Sequence, residues 1–245
     1  MQQEIPLRSY GRRKGKTLRS ARTSAIENVL PEVKILLPIP LSRPAGEGIT
    51  VSTSAEQEKK KDKLNPQSFF PFPVREVWFE IGFGNGEHLL HHALANPDIG
   101  MIGCEPFING VAALCVQIGE QNVKNIRIWP DDARLLMAQM EDHSLDRLFL
   151  LHPDPWPKKR HHKRRFIQKE SLDEIHRLLK PGAEFRMATD HPDLAAWMLE
   201  KTTAHPGFTQ SAPSASDWPE TRYQQKGLTA GRPPVYLSFT ANLRK

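Results

Sequence analysis

From Val74 onward the chain alternates short apolar runs with stretches whose apolar residues recur at helical spacing, and this alternation constrains its fold more than any other feature. Val74–Ile81, Ile99–Cys104, Asn125–Trp129, Leu145–Leu151 and Ala183–Ala188 read as strands. Between them, Glu87–Ala95, the stripe Val111, Leu114, Cys115 and Ile118, and Ala133–Met140 read as helices. A further stripe, Leu172, Ile175, Leu178 and Leu179, is helical and is stopped by Lys180-Pro181-Gly182. A helix through Leu194, Trp197 and Met198 follows, then two more strands at Gly207–Gln210 and Val235–Thr240. The repetition predicts an α/β fold, a doubly wound and mostly parallel seven-stranded sheet with helices on both faces. Ligands of such sheets bind beyond the carboxyl ends of the strands.

Ahead of this domain, taken as residues 71–245, the composition changes. Residues 1–42 form a basic arm whose cations cluster between Arg8 and Arg22, expected to be without order in the free protein. Residues 43–70 read as a flexible linker, because their Ser, Glu, Lys, Gly and Pro bury little apolar surface, and order is expected to begin near Phe72. The chain carries 34 Lys and Arg against 28 Asp and Glu, a net charge of +6. That surplus lies in the first 70 residues, so the domain itself is neutral. It nonetheless holds Lys158-Lys159-Arg160-His161-His162-Lys163-Arg164-Arg165, a block that reads either as a polyanion contact or as a solvated face.

No metal site is expected. Cys104 and Cys115 are too few for a four-thiolate zinc site or a disulfide framework and read as free thiols. His88, His91 and His92 share one helix without a fourth ligand and read as partly exposed histidines. No apolar run reaches the ~18 residues of a membrane span, and Met1-Gln2-Gln3-Glu4 lacks the apolar core of a secretory signal. The expected compartment is the cytoplasm, with no membrane partner.

The turn after the first strand reads Glu80-Ile81-Gly82-Phe83-Gly84-Asn85-Gly86. Its glycines permit a sharp turn and close approach of a ligand to the backbone. Their spacing is G-x-G-x-G, one residue short of a dinucleotide fingerprint. Glu105 ends the second strand, where an acid accepts from ribose hydroxyls, and Asp132 follows the third, where it faces an adenine edge. Glu80 suits a cationic amino-acid group and repels a pyrophosphate. Alternatively, Glu105 and Asp132 are helix N-caps. The arrangement resembles the class I, Rossmann-like methyltransferases, which implies S-adenosyl-L-methionine as cofactor, bound by Glu80, Gly82, Gly84, Gly86, Glu105 and Asp132.

After the fourth strand comes His152-Pro153-Asp154-Pro155-Trp156-Pro157. Three prolines exclude helix and hold Asp154 in a fixed presentation. A carboxylate there accepts from guanine N1–H and the exocyclic amine, while Trp156 either stacks on a base or anchors the loop. Cations downstream grip phosphate. Pro153-Asp154-Pro155-Trp156-Pro157 with the basic block resembles the P-D-P-W-x-K-x-R-H-x-K-R-R signature of the bacterial tRNA (guanine-N7-)-methyltransferases. Thr189-Asp190, Thr221-Arg222-Tyr223 and Arg8-Ser9-Tyr10-Gly11-Arg12-Arg13 add to the likeness.

That resemblance implies methyl transfer to N7 of guanosine 46 in the variable loop of tRNA. It implies Asp154 at the reaction centre, and Lys158, Asp190, Thr221, Arg222, Tyr223 and Gln224 against substrate. It implies Arg160, His161, His162, Lys163, Arg164 and Arg165 against RNA. Gln224 replaces the family's usual Glu, and His152 stands where Phe is common. Oligomeric state is left open between monomer and homodimer. Two rivals remain at this stage, a nicotinamide-dependent oxidoreductase and an RNA-binding protein with a vestigial cofactor site.

Overall fold

The computed structural model describes residues 13–37, 63–212, 218–219 and 222–243. Their helices are α1 (Ser20–Asn28), α2 (Leu30–Val33), α3 (Glu87–Ala95), α4 (Ile108–Gln121), α5 (Ala133–Met137), α6 (Lys169–Leu178), α7 (Pro192–Thr203) and α8 (Arg222–Thr229). Their strands are β1 (Glu76–Ile81), β2 (Ile99–Cys104), β3 (Ile126–Trp129), β4 (Leu145–Leu151), β5 (Leu179–Thr189), β6 (Phe208–Ser211) and β7 (Val235–Ala241). They form a seven-stranded sheet in the order β3-β2-β1-β4-β5-β7-β6. The pairings through β5 are parallel, and β7 runs antiparallel to both β5 and β6. The chain leaves β1 toward β2 on one side and meets β4 on the other, so the switch point lies between β1 and β4, where both sequence motifs emerge.

Strand alternation divides the core between the two faces of the sheet. Phe79, Ile81, Ile102, Leu148 and Leu150 pack with α5 to α7 on one face. Trp78, Met101, Ile126, Ile128 and Phe149 pack with α3 and α4 on the other, where Val111, Leu114, Cys115 and Ile118 are all buried as their spacing requires. The helix stops at Leu178, ahead of Lys180-Pro181-Gly182: Leu179, expected on the helical stripe, opens β5, which contains those three residues and carries Gly182 at φ 84°.

The arm differs from expectation. Among its described residues, Ala25, Leu30 and Val33 pack into the α3–α4 core and Ile35 into the opposite one. The Ile35 N–H donates to the Ile128 carbonyl at 2.9 Å, beside the edge strand β3. Apolar residues hidden among the cations of this segment supply enough buried surface to order it. Order is also present before Phe72: the Leu64 N–H bonds the Gln139 carbonyl at 2.8 Å, Pro66–Phe69 forms a 3-10 turn, and Phe70 is buried. Most of the expected linker lies outside the described residues.

Candidate active site

The turn from β1 to α3 places Gly82, Gly84 and Gly86 at φ 72°, 59° and 83°, a region that favours glycine. A Cβ built on Gly82 meets nothing within 4 Å, so the loop borders open space. Glu105 organises this loop from the end of β2. Its Oε2 accepts from the Gly84 N–H and its Oε1 from the Phe107 N–H, both at 2.8 Å. Burial raises the Glu105 carboxyl above its ordinary value against those two donors, and the charges of Asp154 and Glu80 raise it further. Three carboxylates from β1, β2 and the loop after β4 therefore share one field. A site with that excess of negative charge suits a cationic ligand, and the open space at Gly82 fits the amino-acid end of S-adenosylmethionine.

Asp132 is the N-cap of α5, as its alternative reading holds. Its Oδ1 accepts from the Arg134 N–H at 3.1 Å, and the Arg134 guanidinium reaches Oδ2 at 2.7 Å. Sequence reasoning missed its neighbours. Arg13 of the arm pairs with Asp131, the Ile108 N–H bonds the Arg13 carbonyl at 3.1 Å, and Asn109 accepts from the Gly15 N–H at 2.9 Å. Residues 13–16 thus strap the ends of β2 and β3 beside the glycine loop. Gly110 was also missed: a Cβ there would stand 2.1 Å from the Gly84 carbonyl oxygen, so only glycine lets α4 approach the loop.

The loop after β4 leaves the sheet through His152 and turns again at Trp156, at φ 47° and 41°. Asp154 lies exposed on it, with its carboxyl raised above the ordinary value by lost hydration. Its influence on Glu105 places it on the glycine-loop side. His152, at the position where Phe is common, lies 3.8 Å from Asp190, and burial lowers its imidazole against the pull of that carboxylate. Asp190 in turn meets the Arg232 guanidinium at 3.1 Å, which ties the end of β5 to the approach of β7.

The basic block forms a 3-10 helix over Lys159–Arg164. Lys158, Lys159, Arg160 and Lys163 are exposed, while His161, His162 and Arg164 are half-buried. Trp156 anchors this turn, with the Arg164 guanidinium 5.0 Å above its ring and His161 edge-on at 5.9 Å. Arg165 is a correction to the sequence reading. Its side chain is 1% exposed, pairs with Asp193 of α7, donates from Nε to the Pro155 carbonyl at 3.0 Å and packs on Trp197. It clamps the proline loop from inside and is turned away from solvent. Thr221 lies outside the described residues, and Arg222, Tyr223 and Gln224 begin α8.

His88 and His92 are a second correction, since both are buried against Phe149 while His91 is exposed. Both cysteines are buried, and burial pushes Cys115 up to about 12. No cluster with metal-binding geometry and no helix long and apolar enough to cross a membrane occur among the described residues.

Comparison with known proteins agrees with this geometry. A family model described as putative methyltransferase matches residues 74–236. A tRNA (guanine-N(7)-)-methyltransferase of Rhodospirillum rubrum is 45% identical, over 95% of this chain and 87% of that protein. Its counterpart in Paracoccus denitrificans is 46% identical, over 94% of this chain and 93% of that one. The crystal structure of the aminoglycoside resistance methyltransferase NpmB1 aligns with 69% of this chain and 88% of that one, at 19% identity and a TM-score of 0.48, and carries no part of the assignment. Identity of this order across nearly the whole length makes the chain a member of the tRNA (guanine-N(7)-)-methyltransferase family.

Proposed function

We propose that the protein methylates N7 of guanosine 46 in the variable loop of tRNA, in the cytoplasm, using S-adenosylmethionine. The observation that carries the reading is the convergence of Asp154 with Glu80 and Glu105 beside the glycine loop, next to an exposed basic turn. When bound, the cofactor supplies an electrophilic methyl group on a positively charged sulfur. Glu80 balances the cationic amino-acid end, and Glu105 retains lone pairs for the ribose hydroxyls after its two backbone bonds. Asp154 accepts from the guanine edge and holds N7 in line. Guanine N7 bears a lone pair and no proton, so Asp154 orients the base and is not asked to remove a proton. Alignment of the two reactants is the main catalytic resource. Carboxylates near the purine also stabilise the positive charge that develops on it. Lys158, Arg160 and Lys163 supply phosphate contacts that fix register.

The test is incubation of the purified protein with labelled S-adenosylmethionine and unmodified tRNA, followed by mapping of the labelled nucleotide. Label at N7 of guanosine 46 is the expected result. Label elsewhere, or cofactor binding without transfer, overturns the assignment.

A further inference from the structure

Glu80 faces α3 as well as the glycine loop, and its neighbours there form a chain of hydrogen bonds. His88 Nδ1 lies 2.8 Å from Glu80 Oε2, and His88 Nε2 lies 3.1 Å from His92 Nε2. The two histidines stand four residues apart, on one face of the helix. All three side chains are at most 3% exposed. Phe149 packs on both rings at 4.7 and 5.6 Å, Trp78 closes on His92 at 5.5 Å, and Trp218 lies 6.1 Å from His88. In so dry a pocket an ionised carboxylate persists only with hydrogen-bond donors.

With Glu80 as a carboxylate, proton counting leaves one arrangement of the two neutral rings. An ionised carboxylate only accepts, so His88 must carry its proton on Nδ1. Its Nε2 is then a lone pair, and the contact with His92 requires the proton on His92 Nε2. The Glu80–His88 bond also spans the glycine turn, linking the end of β1 to the first turn of α3 across Gly82, Gly84 and Gly86. We propose that His88, held in its Nδ1–H tautomer by His92, is a positioning residue for cofactor binding. It holds the Glu80 carboxylate in place at the loop and braces the turn between β1 and α3. This inference rests on the function proposed above.

Calorimetry with S-adenosylmethionine on the full chain tests it. His88→Ala strips the donor from a buried anion, and cofactor affinity falls about tenfold or more while tRNA affinity is unchanged. His88→Asn returns a donor to the Nδ1 position and recovers most of the loss. In a Glu80→Gln background, His88→Ala adds little, because the two residues act through one bond. Nitrogen-15 spectra of the wild-type protein at pH 8 show His88 protonated on Nδ1, an outcome that does not depend on any variant folding. His88 protonated on Nε2 overturns the inference, as does a His88→Ala affinity within twofold of wild type. Wild-type protein that fails to bind S-adenosylmethionine overturns the function itself and this inference with it, whereas wild-type binding that His88→Ala leaves unchanged overturns the inference alone.

Discussion

Replacing Arg165 by Ala separates a clamp from a phosphate contact. The guanidinium donates to the Pro155 carbonyl at 3.0 Å from a site that is 1% exposed, and a charged hydrogen bond there contributes about 1.5–3 kcal/mol. Its partner Asp193 is 57% exposed, so the ion pair is worth only about 0–1 kcal/mol. Packing of the guanidinium 5.1 Å from the Trp197 ring contributes about 0.5–1 kcal/mol. The loss is therefore about 2–5 kcal/mol, a fall in Tm of about 4–20 °C for a domain of this size. Thermal and urea unfolding measure it, and filter binding of tRNA at several salt concentrations measures whether a phosphate contact was lost. The expected result is a less stable enzyme with slower turnover and an unchanged salt slope. Lys158→Ala and Lys163→Ala should do the opposite, each flattening the slope by about 0.7–0.9 without loss of stability. An Arg165→Ala protein of wild-type stability with a flatter slope refutes the clamp.

Three further outcomes are expected. Asp154→Ala leaves cofactor affinity within about threefold of wild type but lowers kcat by about a hundredfold or more, since it removes alignment of the base; equal loss of cofactor binding, read by calorimetry, places Asp154 in the other site. Gly110→Ala drives a Cβ to 2.1 Å from the Gly84 carbonyl oxygen, costs about 1–3 kcal/mol in urea unfolding and weakens the cofactor; wild-type affinity refutes the close approach. Asp98, Asp173 and Asp193 have carboxyls held below the ordinary value, chiefly by hydrogen bonds from Arg75, Lys169 and Arg165 respectively. Their folded values lie below their unfolded ones, so their stabilisation is present above about pH 4 and is lost as pH falls below it. Urea midpoints should decline more steeply below pH 4 in wild type than in the triple Asp→Asn variant, and parallel curves defeat this account.

Much of the site was legible in the chain because its parts are local. The glycine loop, the acids ending β1 and β2, and the proline-framed Asp154 are each set by a few adjacent residues, and strand–helix alternation carries them to one end of the sheet. Asp132 reads as a cap or a ligand from sequence alone, and its bonds to Arg134 show the capping role. The arm misled through composition: its cations dominate the count, whereas Ala25, Leu30, Val33 and Ile35 determine where it packs.

Sequence alone determined the doubly wound sheet, the order of its motifs and the family, since periodicity and contiguous signatures survive without knowledge of distant contacts. Tertiary structure decided which cations face solvent and which acids share a field. Arg165 looks like its neighbours until Asp193, 28 residues away, and Trp197 close over it. His88 and His92 read as partly exposed residues until Phe149 of β4 covers them and Glu80 comes within 2.8 Å of His88. The physical reason is common to both cases. A charged or titratable side chain takes its role from the partners and water around it, and only the folded chain brings those partners together.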